Sequence, residues 1–360
     1  MSFRLFLYEV ITGRRHGLGA AGMRWALRVL SVGYAFAVQV WCVAYERRLL
    51  PERALGKPVV SVGNITWGGV GKTPFVEWLA RYFLEQNVRP AILTRGYMPS
   101  AGRGGSFSPG SDEALMLKKR FPGVPVRTGR DRRKSAQQLL SQHDVDVFIL
   151  DDGFQQRGVR RDLNIVLVDA TDPFGNGFLL PRGSLREPLS SLRRADVFVL
   201  TKTDQVTGRL DILKDRLKAW NPAAVFVETV HQPVSFSCLG MAQPGMALSA
   251  IKGQSVCLVS GIGDPRSFEK TVGGLGAVIQ DTKFFPDHHH FSAGEVESVA
   301  RSCQEQGIGV IIMTAKDAVK WTEDVQCLAS NLKVLVLNME IKITKGKDDL
   351  CARLRTLHCR

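Results

Sequence analysis

Apolar residues occur along this chain in two alternating patterns. Short continuous runs of aliphatic and aromatic side chains are typical of strands in a parallel sheet that is covered on both faces. Such runs lie at Pro58–Val62, Ala91–Thr94, Val145–Leu150, Leu163–Val168 and Val197–Leu200. Between the first two runs, apolar residues recur every three or four positions from Phe75 to Phe83, which predicts a helix. This alternation predicts an α/β fold with a parallel sheet flanked by helices.

The alternation is interrupted once and then returns. Pro233 and Pro244 punctuate a stretch without periodicity at 231–245, which we interpret as a linker. Beyond it, strands are predicted at Ser255–Val259, Val310–Thr314 and Val334–Leu337, and a helix around Ala293–Gln306. The predicted organisation is an N-terminal segment at 1–55, a first α/β domain at 56–230, the linker at 231–245, and a second, smaller α/β domain at 246–360.

The N-terminal segment contains a long uncharged stretch. From Val29 to Tyr45 there are 17 consecutive residues without a charge, and arginines flank them on both sides. This length is at the short limit for a spanning helix, and the stretch starts too far from Met1 for an ordinary signal peptide. We therefore predict a membrane-associated helix that lies in or dips into the bilayer. The alternative is a buried helix packed on the rest of the protein.

A glycine-rich loop follows the first predicted strand. Residues 63–73 have the sequence Gly-Asn-Ile-Thr-Trp-Gly-Gly-Val-Gly-Lys-Thr, and Pro74 suits the first turn of the next helix. Glycines let consecutive backbone N–H groups turn toward phosphate oxygens, and a helix N-terminus adds a positive dipole. In phosphate-binding loops of the form G-x-x-x-x-G-K-[ST], the lysine contacts the β- and γ-phosphates and the hydroxyl contacts magnesium.

Thr66 stands where that pattern has its first glycine. The order strand, loop, helix, strand nevertheless favours a phosphate-binding loop over the alternative of a glycine-rich turn with an incidental lysine. The predicted nucleotide-binding residues are Thr66, Trp67, Gly68, Gly69, Val70, Gly71, Lys72 and Thr73.

Composition narrows the classes of protein and of partner. The chain has 360 residues, 44% of them hydrophobic and 23% charged, as expected for a folded protein that is long enough for two domains. Its seven cysteines form no C-x-x-C pair, which argues against a zinc ribbon and a disulfide scaffold. The net charge of +14 predicts an anionic partner, for which nucleic acid, an acidic membrane face and a phosphorylated substrate are alternatives.

Acidic residues occur at two positions that suit chemistry. The run at Val147–Leu150 ends in Asp151 and Asp152, and loop-type nucleotide-binding proteins place an aspartate at such a strand end beside magnesium. The alternative is that one of the pair caps the following turn. Asp112 lies at the start of a predicted helix between Ser111 and Glu113, where a capping role competes evenly with a chemical one.

Three other clusters leave alternatives open. In the arginine cluster, one or two side chains could clamp phosphate while the rest form a solvated face; its members are Arg127, Arg130, Arg132 and Arg133. Three adjacent histidines follow Asp287, and we expect one of them to function in orientation or proton transfer. The run Thr201 to Asp204 resembles the base-reading Asn-Lys-x-Asp of GTPases, with threonine in place of asparagine.

Taken together, these motifs resemble those of the tetraacyldisaccharide 4'-kinases, the lipid A kinases. The resemblance covers nearly the whole chain in order. It rests on Gly63-Asn64, Gly68 to Pro74, Thr94 to Tyr97, Ser111 to Glu113, Asp151 to Gln155, Leu180 to Pro188, Ser260 to Gly263, Phe285 to His289 and Thr314 to Lys320.

The resemblance implies ATP-dependent phosphorylation of the 4'-hydroxyl of a tetraacylated glucosamine disaccharide 1-phosphate, which yields lipid IVA in lipid A biosynthesis. It implies ATP and Mg²⁺ as cofactors and the cytoplasmic face of the bacterial inner membrane as location. The expected partners are the lipid substrate and the membrane surface, with no nucleic acid. It also implies two α/β/α domains joined by a short β linker, and a phosphate loop that lacks its first glycine, as this chain does at Thr66.

Matching positions imply roles for individual residues. Asp112 corresponds to the catalytic base, and Lys72 and His288 complete the catalytic set. The metal-side residues are Thr73, Asp151, Asp152 and Glu187, and the residues expected to contact substrate or phosphate are Arg132 and Arg186. The chain departs from the family pattern at Ala114, where proline is frequent, and at Gln156, where histidine is common.

Two other classes of function remain as alternatives. A membrane-associated GTPase switch would use Thr201 to Asp204 to bind guanine. An ATP-dependent nucleic-acid partner would need salt-sensitive binding to DNA or RNA, and the sequence contains no recognisable base-reading module.

Overall fold

The computed structural model describes residues 10–11, 17–95, 112–206, 208–240, 245–286, 289–321, 329 and 331–357. The chain divides into two compact units. The first consists of Met1–Arg95, Val124–Val230 and Ile343–Arg360, and the second of Gly96–Gly123 and His231–Lys342. Neither unit is therefore continuous in sequence.

The strands, numbered in chain order, are β1 (Val59–Asn64), β2 (Pro90–Thr94), β3 (Val126–Thr128), β4 (Val147–Asp151), β5 (Leu163–Asp169), β6 (Val197–Thr201), β7 (Val225–Cys238), β8 (Ser255–Ser260), β9 (Val278–Phe284), β10 (Val310–Thr314) and β11 (Lys333–Lys345). The helices are α1 (Leu18–Glu46), α2 (Lys72–Glu85), α3 (Asp112–Arg120), α4 (Arg132–Leu140), α5 (Leu210–Lys218), α6 (Pro265–Gly274), α7 (Ala293–Glu305), the single turn α8 (Ala315–Ala318) and α9 (Lys347–Arg355). Short 3-10 segments lie at Leu189–Arg194, Thr203–Gln205 and Leu248–Ile251.

In the first unit the strand order is β3-β2-β4-β1-β5-β6-β7, and neighbouring strands run parallel. The central strand β1 pairs with β4 on one side and β5 on the other, so Val60 lies opposite Ile149 and Leu163. Every residue of β1, β2, β4 and β6 is buried. This burial is the reason that the strands have continuous apolar sequences, and the predicted parallel α/β sheet is confirmed.

Helices cover this sheet through apolar stripes. Ala136 and Leu139 of α4 pack in a core with residues of β1, β2 and β4, and Leu213 and Leu217 of α5 pack in a second core with residues of β5 and β6. Helix α2 contacts β1 and β4. The carboxyl ends of the strands, where ligands bind in open parallel α/β sheets, thus lie on a fixed framework.

The second unit contains a smaller parallel sheet with the order β11-β10-β8-β9. Its strands β8 and β10 are mostly buried, whereas β9 alternates between exposed and partly buried residues. This alternation explains why β9 has no continuous apolar run in the sequence. The helix predicted at Ala293–Gln306 is α7, which begins with a capping box formed by Ser292 and Glu295.

The units differ from the domains predicted from sequence at two places. Helix α3 was assigned to the first domain, but it packs against α8 in the second unit, where Arg120 Nη2 lies 3.0 Å from Glu340 Oε1. The C-terminal residues were assigned to the second domain, but Ile343–Arg360 belongs to the first unit. There Leu350 and Leu354 of α9 are buried, and Tyr82 Oη of α2 donates to the Cys351 carbonyl at 3.5 Å.

Helix α1 is longer than the uncharged stretch that predicted it. It has 29 residues and is long and apolar enough to cross a membrane, and 17% of its most apolar window is buried. Large apolar side chains are exposed along it, including Trp25 at 71% and Phe36 at 72%. Most of the apolar window of α1 is therefore not buried within the described part of the protein.

The other side of α1 is fixed to the first unit by specific contacts. Ser31 Oγ donates to the Leu179 carbonyl at 2.8 Å, and Tyr34 Oη donates to the Arg186 carbonyl at 2.9 Å. Closer to the C-terminal end of the helix, Cys42 Sγ lies 3.8 Å from Glu187 Oε2. One face of α1 is therefore held by polar contacts to the segment around Arg186, while its exposed face is apolar.

Candidate active site

The glycine-rich loop connects β1 to α2 and is fixed at several points. Gly71 caps α2 with φ 84° and Gly68 has φ 139°, conformations that L side chains rarely adopt. The Trp67 N–H donates to the Ser184 carbonyl at 2.6 Å, and the Arg186 N–H donates to the Ile65 carbonyl at 2.8 Å. The loop therefore has a defined shape before any ligand contact is considered.

Gly63 allows β1 to approach the segment that follows β4. A Cβ at Gly63 would lie 2.6 Å from the backbone nitrogen of Phe154, closer than real Cβ contacts allow. Gln155 Nε2 donates to the Asn64 carbonyl at 3.0 Å, and Arg161 and Arg194 donate to the Phe154 carbonyl. The sequence Asp-Asp-Gly-Phe-Gln is thus packed directly beside the start of the phosphate loop.

Lys72 lies at the first position of α2 and points to polar partners. Its Nζ donates to Asn64 Oδ1 at 3.0 Å and lies 3.5 Å from Asp152 Oδ1. Asn64 in turn donates from Nδ2 to the Thr66 carbonyl at 2.5 Å. The structure therefore brings together Lys72 and Asp152, which the sequence singled out separately.

Asp152 follows β4 in a left-handed backbone conformation, with φ 52°. Arg186 Nη1 donates to both of its carboxylate oxygens, at 2.9 and 3.0 Å. Burial opposes ionisation of this carboxyl most strongly, but Lys72 and Arg186 outweigh it and hold the pKa of Asp152 below its usual value. Asp152 is consequently a carboxylate at neutral pH.

Asp151 is the last residue of β4 and is 1% exposed. The nearby Arg132 donates from Nη2 to the Asp151 carbonyl at 3.5 Å and from Nη1 to the carbonyls of Thr94, at 2.7 Å, and Gly129. Burial lowers the pKa of Arg132 to about 10, against the charges of Asp151 and Asp152. Arg132 thus donates hydrogen bonds to carbonyls at or next to the ends of three strands. The predicted contact between Arg132 and phosphate stays a prediction.

Glu187 is 1% exposed and pairs with two arginines. Its Oε2 accepts from Arg157 Nη2 at 3.0 Å and from Arg194 Nη2 at 2.6 Å. Burial raises the pKa of this carboxyl, but the two guanidinium groups outweigh burial and hold it below the usual value. These contacts are those of a buried ion pair that supports the segment around Arg186, and the predicted metal role of Glu187 stays a prediction.

Oxygen donors are the chemistry that this site offers to a cation. Thr73 supplies a hydroxyl at the start of α2, and Asp151 and Asp152 supply carboxylates at the end of the adjacent strand. Magnesium takes one or two carboxylates and substrate phosphates, so this donor set fits Mg²⁺. Within the described residues there is no group of three or more His, Cys, Asp and Glu side chains that could hold a metal by itself.

The remaining predicted residues lie elsewhere in the chain. Asp112 begins α3 in the second unit, and His288 lies outside the described residues. The neighbouring His289 stacks on Phe285 at 4.7 Å between ring centroids, and its Nε2 lies 3.1 Å from Glu295. His289 therefore supports the start of α7.

The sequence did not predict the residues that contact Glu187 and the backbone of Arg186 and so support the site. Arg157 and Arg194 hold Glu187, and Tyr34 holds the backbone of Arg186. The only sequence signal was that Arg157 directly follows the Asp-Gly-Phe-Gln-Gln run. The run that resembles a guanine-reading motif places Lys202 Nζ 2.6 Å from Asp169 Oδ2 at the end of β5.

The glycine-rich loop connects the central strand of a parallel sheet to α2, and its lysine lies beside an aspartate at the end of the adjacent strand. This arrangement defines a P-loop nucleotide-binding protein. A family model described as tetraacyldisaccharide-1-P 4'-kinase matches residues 23–358. The chain belongs to this family.

Relatives and a solved structure agree with this assignment. A tetraacyldisaccharide 4'-kinase from Anaeromyxobacter dehalogenans is 37% identical over 321 residues, which cover 86% of this chain and 84% of the relative. One from Syntrophus aciditrophicus is 36% identical and covers 90% and 91% of the two chains. A crystal structure of LpxK from Aquifex aeolicus in complex with ATP superposes with a TM-score of 0.72 at 30% identity, covering 93% of this chain and 99% of that one.

Proposed function

We propose that this protein transfers the γ-phosphoryl group of ATP to the 4'-hydroxyl of a tetraacyldisaccharide 1-phosphate, forming lipid IVA. The observation that carries the proposal is the cluster of Lys72, Asp152 and Arg186 beside the glycine-rich loop, in a chain that matches the kinase family over residues 23–358. The ATP-bound relative supports ATP as the phosphoryl donor.

The phosphate loop performs the electrostatic part of this reaction. Backbone N–H groups between Gly68 and Thr73 bind the phosphates, and the Nζ of Lys72 neutralises the charge that develops on the β- and γ-phosphoryl oxygens. Asn64 and Asp152 keep the Lys72 ammonium in the site. Arg186 holds Asp152 by two hydrogen bonds, so the carboxylate has one orientation.

Thr73, Asp151 and Asp152 would hold a magnesium ion. When it is bound, the ion supplies charge neutralisation at the phosphates. We further propose that Asp112 accepts the proton of the sugar hydroxyl and that His288 assists it. Arg132 orders the strand ends through the carbonyls of Thr94 and Asp151, and we propose phosphate binding as its additional role.

Helix α1 supports a location at the membrane. Its exposed apolar residues would enter the bilayer at the level of the lipid headgroups, while Ser31 and Tyr34 bind the segment that contains Arg186. The substrate is itself a membrane lipid, so a bound helix raises the rate of encounter with it. We propose that the protein is located at the cytoplasmic face of the inner membrane and that nucleic acid is not among its partners.

Phosphate transfer to a lipid tests the proposal directly. Wild-type protein and Lys72→Ala are incubated in mixed micelles with labelled ATP or GTP and tetraacyldisaccharide 1-phosphate. We expect lipid labelling that prefers ATP and falls about 10²- to 10³-fold in Lys72→Ala, because a cationic donor to the transition state is lost. Nucleotide hydrolysis without lipid labelling, with a preference for GTP, would contradict the kinase and favour a GTPase switch.

A further inference from the structure

A basic cavity lies in the first unit, apart from the phosphate loop. Its volume is about 450 Å³, and no residue of the loop at 66–73 lines it. We call it the arginine pocket and define it by its lining residues, which are Arg53, Arg130, Asp131, Arg132, Arg133, Gln156, Gly158 and Val159. Four arginines and a single acidic residue therefore line one space.

The carboxylate does not neutralise the pocket. Asp131 caps α4, and its Oδ1 accepts from the backbone N–H groups of Arg133 at 3.0 Å and Lys134 at 3.2 Å. Within the described part of the chain, the side chains of Arg53, Arg130 and Arg133 have no carboxylate partner. Like charges at one cavity repel each other unless an anion joins them, so the pocket is complementary to a negatively charged group.

Arg132 forms the inner wall of the pocket and is 2% exposed. Its Nη1 and Nη2 atoms donate to backbone carbonyls, but its Nε has no hydrogen-bond partner. Arg132 therefore contributes a buried positive charge to the wall of the pocket, held in place by backbone carbonyls.

Backbone hydrogen bonds fix the segments that line the arginine pocket. The Arg53 N–H donates to the Gly158 carbonyl at 3.1 Å, and the Arg53 carbonyl accepts from the Arg160 N–H at 3.0 Å. On the other side, Arg130 to Arg133 surround the capped N-terminus of α4, whose dipole also favours an anion. The arginines thus project from fixed segments.

The position of the pocket indicates which anion it takes. Arg132 spans from the pocket to the Asp151 carbonyl, so the pocket lies one side chain away from the strand end that carries Asp151 and Asp152. Arg53 follows α1 by a short connection in which Leu49 is 73% exposed. Guanidinium groups match phosphate oxygens in pairs, and the volume exceeds that of a phosphate ion alone.

We propose that the arginine pocket binds a lipid-borne phosphate group other than the phosphates of ATP. The phosphate has two possible sources with the same chemistry: the 1-phosphate of the disaccharide, or the headgroup phosphate of a neighbouring phospholipid. The first source rests on the proposed function, because only then does the substrate carry a phosphate that does not react. In either case the pocket aligns the protein on a lipid by a second charged contact.

The test uses a triple variant, Arg53→Gln, Arg130→Gln and Arg133→Gln, all at exposed positions. The matched control removes the same number of positive charges at exposed sites outside the pocket, with Lys134→Gln, Arg209→Gln and Lys252→Gln. Steady-state kinetics are measured with tetraacyldisaccharide 1-phosphate and with the same disaccharide bearing a free 1-hydroxyl. Each is assayed in neutral micelles and in micelles that contain phosphatidylglycerol.

If the substrate is the source, the triple variant loses about tenfold or more of the preference for the 1-phosphorylated disaccharide, with the KM for ATP unchanged. If phospholipid is the source, the variant keeps that preference and loses activation by phosphatidylglycerol. Retention of both properties by the triple variant overturns the proposal. An equal loss in the charge-matched control also overturns it, because net charge would then explain the effect.

A binding measurement separates this proposal from the kinase proposal. Wild type and the triple variant, each saturated with ADP to fill the phosphate loop, are melted in increasing glucosamine 1-phosphate. We expect the sugar phosphate to raise the Tm of wild type and not that of the triple variant. This result would stand even if no lipid were phosphorylated. If the Tm rises by the same amount in both proteins, or rises in neither of them, the proposed phosphate site in the arginine pocket is overturned.

Discussion

Asp152 illustrates how a partly buried carboxyl group is kept ionised by neighbouring cations. Its carboxylate is largely enclosed, yet Lys72 lies 3.5 Å away and Arg186 binds both oxygens. Two cations around one carboxylate leave a net positive charge, which suits a site that must attract the phosphates of a nucleotide. The positive φ of 52° turns the Asp152 side chain out of the alternation of β4.

Asp112→Ala tests the proposed base. General base catalysis contributes about 10²- to 10⁴-fold, so we expect kcat to fall by that factor while ATP binding, measured by calorimetry, is retained. Asp112 also begins α3, and Asp112→Asn serves as control because asparagine caps helices as well as aspartate does. An asparagine variant with normal kcat would show that Asp112 acts only in structure.

Gly63→Ala tests the contact between the loop and the segment after β4. The new Cβ would lie 2.6 Å from the Phe154 backbone, and we expect a loss of about 1–3 kcal/mol in the free energy of unfolding. Gly123→Ala is the control, since no atom lies within 4 Å of its added Cβ. Calorimetric Tm values compare the two, and equal values would mean that β1 can shift away from Phe154.

At the scale of elements, helix α1 contacts the protein through the same segment that supports the active site. Tyr34 binds the Arg186 carbonyl, and Cys42 lies against Glu187, which pairs with Arg157 and Arg194. The helix that carries the exposed apolar face is therefore connected by hydrogen bonds to the residue that orients Asp152. Docking of α1 and the geometry of the site depend on one buried ion-pair cluster.

Glu187→Gln is expected to weaken this cluster in a pH-dependent way. The pKa of Glu187 lies below its usual value of 4.5, so its stabilising effect is complete above that pH and is lost as the pH falls through the lower folded-state pKa. The variant should lose about 3–5 kcal/mol at pH 7, because the buried Arg157 and the partly buried Arg194 lose the carboxylate that both of them bind.

Urea unfolding from pH 7 down to pH 3 measures this effect. We expect the wild-type midpoint to fall more steeply with acidification than that of Glu187→Gln. The control is Asp215→Asn, whose carboxylate is exposed and lies 3.5 Å from Lys218. Parallel pH profiles for wild type and Glu187→Gln would mean that the carboxyl is not stabilised in its charged form.

Local motifs made the phosphate loop and the carboxylates after β4 predictable, because the spacing of a few neighbouring residues defines each of them. The partners of Glu187 were not predictable, since Arg157, Arg194 and Cys42 come together only through tertiary packing. The three-residue strand β3 is too short to show a pattern.

At the scale of the whole molecule, the first unit is built from segments that lie before, between and after those of the second unit. Helix α1 precedes both segments of the second unit in the sequence, and α9 follows them. The domains predicted from sequence place α9 in the second domain, because the chain has no linker between β11 and α9. Buried contacts, not chain continuity, therefore decide which residues form the nucleotide-binding unit.

Leu350→Ala tests the place of α9. Leu350 is 0% exposed, so its truncation should cost about 2–5 kcal/mol. Hydrogen exchange should become faster in α2 and β1 of the first unit, while β8 and β10 of the second unit keep their protection. Arg353→Ala, at an exposed position of the same helix, is the control. Faster exchange in the second unit alone would contradict this assignment.

The place of α9 also has a consequence for the time course of synthesis. A ribosome synthesises α1 before, and the residues at 347–355 after, all the strands of the described part of the chain. Domains generally fold as they emerge, but this nucleotide-binding unit lacks a buried helix until the residues at 347–355 have left the ribosome. On the proposed membrane location, the apolar face of α1 would be available to the bilayer throughout that interval, before the phosphate-binding unit is complete.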